Sequence, residues 1–235
     1  MTKFVMVLHG GPDDRATRRV ALIEQVSPAL LALGAVRLTV TVADEAADVP
    51  GPNPFVTKGL PVALVNVWTD GGPDALVARV AEAGFKVAAY EVDETVPTTY
   101  GDNRHAAPRD WPDGVRSRGV TAVSLIEQHP GLSYEEWMKR WHGRMSPVSE
   151  RIQPRTRYVR NRVVRAVTPD APPWAAIVEE CWPSPKHVSN PFLFYGASNP
   201  VTMVWNSLQI LAAVTAFTRI WKVRTFMASE WFIRS

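Results

Sequence analysis

KFVMVLHGGPDD, residues 3–14, sets the first element and its boundary. Phe4 to Leu8 is an unbroken apolar run, too short for a secretory signal, and Lys3 to His9 reads as a strand. Gly10, Gly11 and Pro12 close it, and Asp13 and Asp14 offer an N-cap. A helix follows to about Leu33, with Gly34 as its stop. Val36 to Ala43 then alternates: Val36, Leu38, Val40 and Val42 face one way, Arg37, Thr39 and Thr41 the other. Past a Pro/Gly-rich connection (VPGPNPFVTKGLP), the pattern predicts a strand over Val62–Trp68. A short helix over Asp74–Ala83 and a fourth strand over Phe85–Val92 complete the set. The order is β-α-β-β-α-β, the ferredoxin-like arrangement.

The same order returns further along the chain. Residues 101–119 (GDNRHAAPRDWPDGVRSRG) read as a polar linker between a first unit, 1–100, and a second, 120–235. The second unit is predicted to run as strand Val120–Glu127, helix Ser133 to about Ile152, and strands Arg157–Val167 and Ala175–Trp182. An apolar helix over Val201–Trp221 and a closing strand over Val223–Ile233 finish it. Ser27-Pro28 and Ser146-Pro147 fall inside the two opening helices, 119 residues apart (146 − 27), which points to an internal duplication. A proline inside a helix costs about 3 kcal/mol or more unless the backbone bends. Each opening helix is therefore expected to kink or break there. The fold class is α+β: two tandem ferredoxin-like units.

Composition narrows the function classes. The chain has 235 residues, 46% hydrophobic and 21% charged, as a globular protein does. A lone Cys181 excludes an internal disulfide framework and suits a reducing, cytoplasmic setting. The stretch PVTMVWNSLQILAAVTAFTRIW approaches a span in length, but Asn206, Gln209 and Arg219 interrupt it, so a helix buried in protein is expected and no membrane partner. The net charge is +3, and the one dense basic stretch, Arg151 to Arg165, splits between two strand faces. That pattern fits charge-paired neighbours and argues against a nucleic-acid partner. No spacing of His, Cys and carboxylates suggests a metal, and no phosphate loop or serine elbow occurs.

The chemistry-bearing stretch is SYEEWMKRWHGRMSPV, residues 133–148. At 3.6 residues per turn, Tyr134, Trp137, Met138, Trp141 and Met145 gather on one face, with His142 among them and the charges opposite. W-x₃-W-H-x₄-P here, R-Y-V-R-N-R-V in the next strand (Arg157–Val163) and S-E-W at Ser229–Trp231 resemble an EthD-type domain of the dimeric α/β-barrel superfamily. The resemblance covers about Val120 to Ser235; the first half shares topology without those motifs. It implies that the two units close one intramolecular dimeric α/β barrel, with a pocket between the helices and the sheet, and chemistry of the cyclase, isomerase or monooxygenase type. Haem-binding barrels are also among the relatives.

In such a fold, His142 addresses the pocket as a cofactor-independent general acid or base, or else serves as a structural histidine. Tyr158 is the second catalytic candidate, as a donor to an enolate or carbonyl oxygen. Trp137, Trp141, Met145, Asn161, Tyr195 and Asn206 are the candidate substrate contacts. Tyr158 and Asn161 lie on opposite strand faces, so one of them alone faces the pocket. Tyr195 belongs to a Pro-flanked loop that could lid it. Under the offset, His142 corresponds to Ile23, which assigns the chemistry to the second half. His9, ending the first strand, reads as structural. The expected partner is a small apolar molecule bearing a carbonyl or phenol. The chain is expected as a monomer with its own barrel or as a homodimer. A non-catalytic binding protein is the alternative, with haem ligation by His142 a further one.

Overall fold

The computed structural model describes residues 1–235. Eight antiparallel strands close into one barrel: β1 (Thr2–Gly10), β2 (Arg37–Val42), β3 (Ala63–Thr69), β4 (Phe85–Thr98), β5 (Val120–Ile126), β6 (Arg157–Ala166), β7 (Ala176–Trp182) and β8 (Arg224–Arg234). Their order around the barrel is β1-β3-β2-β8-β5-β7-β6-β4. Each half thus contributes a four-stranded run, β4-β1-β3-β2 and β8-β5-β7-β6. The seams are β2 with β8 and β4 with β6. Closure leaves no strand edge unpaired.

The helices lie on the outer wall. In the first half, α1 (Arg15–Val20), a π-helical turn (Ala21–Val26) and α2 (Ser27–Ala32) run on as one rod, followed later by α3 (Asp74–Glu82). The Asp14 side chain caps α1 by accepting from the Thr17 N–H at 2.7 Å. Gly34, at φ +97°, ends the rod in a conformation that L side chains rarely adopt. In the second half, α4 (Tyr134–Arg140), a π turn (Trp141–Met145) and α5 (Ser146–Ile152) form the equivalent rod. Three more helices, α6 (Pro185–Ser189), α7 (Pro191–Phe194) and α8 (Pro200–Thr215), precede β8.

The expected kinks resolve into these two π turns, each just before its Ser-Pro. The proline ring cannot sit against a normal preceding turn and supplies no N–H. The chain widens instead, and the N–H of Ser27 donates to the Leu22 carbonyl, as that of Ser146 does to Trp141, five residues back in both halves. The Ser27 hydroxyl adds a second bond to Leu22, at 2.7 Å.

Strand alternation sorts residues between outer wall and lumen, not between core and solvent. On β2, Leu38, Val40 and Val42 pack outward beneath the π turn and α2. Thr39 and Thr41 point inward and are just as buried. The lumen is apolar in its middle, around Val5, Val7, Leu64, Val123, Ile177 and Phe226. Toward one end it becomes ionic. The Lys3 ammonium donates to Glu94 at 2.6 Å and to the Asn161 carbonyl oxygen at 2.7 Å. Asn161 and Asn66 both donate to Glu179 at 3.2 Å, and Arg157 meets Glu230 at 2.5 Å. Residues 101–119, without helix or strand, cover this end: Gly114 and Ser117 donate to the Phe232 and Glu230 carbonyls, each at 2.7 Å.

Three expectations change. β4 continues past Val92 to Thr98, because its outer part pairs with β6 across the seam. The last apolar helix ends at Thr215 rather than Trp221. It is not buried: only Ile210 and Ala213 are, while Val201, Val204, Trp205, Leu208 and Leu211 are exposed. It rests on one neighbouring rod, α5 with its π turn, so a single stripe is covered. No helix is long and apolar enough to cross a membrane. The basic stretch is largely charge-paired, with Arg155 on Glu180, Arg157 on Glu230, Arg162 on Asp93 and Arg165 on Glu91.

Because both Arg157 and Glu230 are buried, removing one partner strands the other's charge. Glu230→Gln is expected to cost about 3–5 kcal/mol in urea unfolding, whereas Arg157→Met combined with Glu230→Leu costs less than that single change. A double variant weaker than the single one would show that the pair itself stabilises the barrel.

Candidate functional site

Beneath the second rod, a crevice of about 90 Å³ separates helix from sheet, lined by Trp141, Met145, Tyr158, Val178, Phe217 and Val223 among others. The π turn shapes its roof. The wider turn returns Met145 to the line of Trp141, and both side chains then look down onto the sheet. Trp137 is fully buried beside Trp141, with ring centroids 5.1 Å apart, and Phe217 stacks on Trp141 at 6.2 Å. α8 and the turn after it close the outer side through Val214 and Phe217.

Tyr158 forms part of the floor, on the outward face of β6. Its hydroxyl lies 3.1 Å from the Ser146 Oγ, which also accepts from Arg160 Nη1 at 2.9 Å. The Arg155 guanidinium sits 3.8 Å over the Tyr158 ring. Burial raises the phenol's pKa against the pull of Arg155, so the hydroxyl stays protonated.

His142 sits to one side. It follows Trp141 by one residue, a rotation of about 100°, which turns it from the roof to the flank of the rod. The imidazole meets Trp141 edge-on at 4.6 Å and does not line the crevice. Its Nε2 is buried and makes no hydrogen bond, and neither does the Nε of Arg160. Burial first, and the Arg160 charge second, push the His142 pKa down to about 4. The ring is therefore neutral at physiological pH and a weak base.

The other sequence candidates separate. Asn161 lies on the lumen side of β6, bonded to Lys3 and Glu179, so of the opposed pair Tyr158 is the one at the crevice. Tyr195 lies edge-on to Phe194 at 5.0 Å, and Phe194 stacks on Trp182 at 4.7 Å. Asn206 donates to the Tyr195 carbonyl at 2.8 Å, tying α8 to this loop. Tyr195 and Asn206 are thus brought to each other, away from the crevice, and the loop is docked on Trp182 rather than spread as a lid.

Sequence reasoning missed a second space, about 620 Å³, at the open end of the lumen. His9, Lys86 and Arg224 border it, with Trp174 as a wall. The available signal was parity: His9 and Lys86 continue the inward-facing series of β1 and β4.

No protein-family model matches the chain, and no curated protein matches it. Among solved structures, an anthrone oxidase-like protein superposes with a TM-score of 0.60 at 12% identity, over 99% of this chain and 92% of that one. A chlorite dismutase-like protein gives 0.48 at 10% identity, over 100% and 96%.

A base held neutral by burial links stability to pH. Between His142's ordinary value of 6.5 and about 4, the unfolded chain binds a proton that the folded one refuses, so stability falls as pH drops through that window. Urea midpoints should decline from pH 7 to 4, and His142→Gln should flatten part of that slope. An unchanged slope would place the ring in solvent. The first superposition shows the fold alone: this chain is an α+β protein built on a closed, eight-stranded antiparallel barrel.

Proposed function

We propose that the chain is a cofactor-independent enzyme acting on a small, largely apolar molecule with an enolisable carbonyl or a phenol. The reaction centre is the crevice beneath the π turn. One observation carries the reading: an acceptor-capable His142 Nε2, on the rod that roofs the crevice, and a donor, Arg160 Nε, on the strand that floors it, are both buried and both without partners. Unmet buried groups are costly, and a substrate hydroxyl that donates to one and accepts from the other satisfies both. In this role the imidazole receives the substrate proton, and the Arg160 charge stabilises the oxyanion left behind. Tyr158 and Ser146 position the Arg160 guanidinium.

At about 90 Å³ the crevice holds roughly three waters, on a share of about 30 Å³ each. An aromatic substrate therefore enters as α8, attached through one stripe, moves outward. That volume gives no support to haem at His142. The two strand runs and the matched π turns support reading the halves as duplicated ferredoxin-like units, 1–100 and 120–235; the EthD-type reading of the second rests on its sequence motifs alone. The lone buried Cys181 supports a reducing, cytoplasmic setting.

The superposition with an anthrone oxidase-like protein suggests the first substrate to try. Oxidation of anthrone by dioxygen gives anthraquinone and water. Catalysed quinone formation under air is expected, lowered about 100-fold by His142→Ala, within the usual range for acid–base groups. The base form persists above its pKa, so kcat/KM should stay level from pH 8 to about 5 and fall near 4. A protein that neither oxidises nor binds anthrone or its hydroxylated analogues would overturn the reading. Binding without turnover is the second reading, favoured by the weak basicity of the ring; retained binding with no turnover in the parent would establish it.

A further inference from the structure

The lumen treats its basic residues differently at its two ends. At the end covered by residues 101–119, Lys3 and Arg157 point inward and each meets a carboxylate, Glu94 or Glu230. At the opposite end three basic residues hold inward-facing positions: His9 on β1, Lys86 on β4 and Arg224 at the start of β8. His9 and Lys86 are direct cross-strand partners. None of the three has a carboxylate oxygen within 4.0 Å. Arg224 makes one long bond, to the Gly59 carbonyl at 3.4 Å, and its guanidinium lies 5.6 Å from the Trp174 ring. Burial first, and then the positive charges of Arg224 and Lys86, hold the His9 imidazole below the usual histidine range.

These groups border the space of about 620 Å³. Its far wall is the segment from Thr168 to Trp174, folded back across the barrel end. Tyr90, from the lumen, donates to the Pro172 carbonyl at 2.8 Å, and the Thr168 hydroxyl accepts from the Ala89 N–H at 3.0 Å. This segment supplies prolines and the buried face of Trp174; Ala88 supplies apolar floor. Two carboxylates also border the space. Glu127 is engaged by Lys222 at 3.6 Å, and Asp170 is exposed on the proline segment. The cavity therefore has a cationic side, an aromatic and proline-lined side, and the volume of a small ligand.

We propose that this barrel mouth is a second binding site, separate from the crevice, for a small aromatic carboxylate. The carboxylate lies against Lys86, Arg224 and His9, and the ring lies along Trp174 and the proline segment. Arg224 and Lys86 provide charge-assisted hydrogen bonds, and the ring burial supplies the apolar part of the affinity. An acid of this kind is distinct in charge from the neutral substrate of the crevice.

The test is calorimetric titration of the full chain with 2-naphthoate and with 2-naphthamide, its neutral near-isostere. The acid should bind at least about tenfold tighter than the amide, a difference near 1.4 kcal/mol, and more weakly as salt rises. Lys86→Met combined with Arg224→Gln, both at the solvent-facing rim, should abolish that preference while leaving the thermal midpoint within a few degrees. His142→Ala should leave naphthoate affinity unchanged, so the outcome is independent of the anthrone experiment. Equal affinity for acid and amide, no binding of either, unchanged binding in the rim double variant, or a loss in His142→Ala would each overturn the proposal.

Discussion

A barrel closed by one chain has an inside that water does not freely reach, so the charged groups buried at its covered end find their partners among other inward-pointing groups. That constraint organises the molecule. Lys3 is nearly fully buried and is held by Glu94 and Asn161; Asn161 and Asn66 hold Glu179. The chain of contacts runs from β1 to β4, across the seam to β6 and β7, and back to β3. Burial lowers the Lys3 pKa, and Glu179 and Glu94 oppose that by favouring its charged form. Such a network is worth more as a specifier of register than as a source of net stability, because desolvation consumes much of its Coulombic gain. A one-residue slip in β1 would send Lys3 outward beneath helices and bring Phe4 into contact with carboxylates. The two halves can therefore join in one register only.

The outer wall obeys a different rule. There each half needs a long rod to cover an apolar sheet face, and each rod carries Ser-Pro in its middle. The π turn is the local answer to that proline, and its consequence for chemistry is geometric. In the first half it buries Ala21, Leu22 and Val26, a plain core. In the second it brings Trp141 and Met145 over the sheet and leaves His142 on the flank, facing Arg160. The same backbone device thus makes packing in one half and, in the other, a crevice with unmet polar atoms on the rod and strand that bound it. Side-chain identity accounts for the difference: aliphatic residues fill the first roof, whereas Trp141 and Met145 leave a gap above Tyr158.

Much of the fold was legible because strand and helix periods are strong signals. Phe4–Leu8, the alternation from Leu38 to Val42 and the Asp14 and Gly34 boundaries all read directly. The meaning of the alternation did not. Thr39 and Thr41 look like a solvent face, yet closure turns that face into the lumen, and closure depends on pairings 190 or so residues apart, such as Thr41 with Glu230. For the same reason Asn161 reads as a pocket candidate when it is a member of the ionic layer. His142 was placed among the apolar residues because a helical wheel groups neighbours broadly; the rotation of about 100° between adjacent residues separates Trp141 from His142. The exposure of α8 was illegible, since an apolar helix looks alike whether one stripe or its whole circumference is covered.

Strand parity also explains how two spaces of opposite character share one sheet. On β5, Ile126 borders the crevice, and the next residue, Glu127, borders the barrel mouth. At the start of β8, Val223 borders the crevice and Arg224 the mouth. Consecutive side chains leave opposite faces of a strand, so the two spaces stand back to back with only backbone between them. The outer one is small, apolar and roofed by Trp141 and Met145; the inner one is larger and carries Lys86 and Arg224 on one side. A neutral ring suits the first and an anion the second. The sheet, by separating them, lets one short chain keep a low-dielectric site beside a charged one without either neutralising the other.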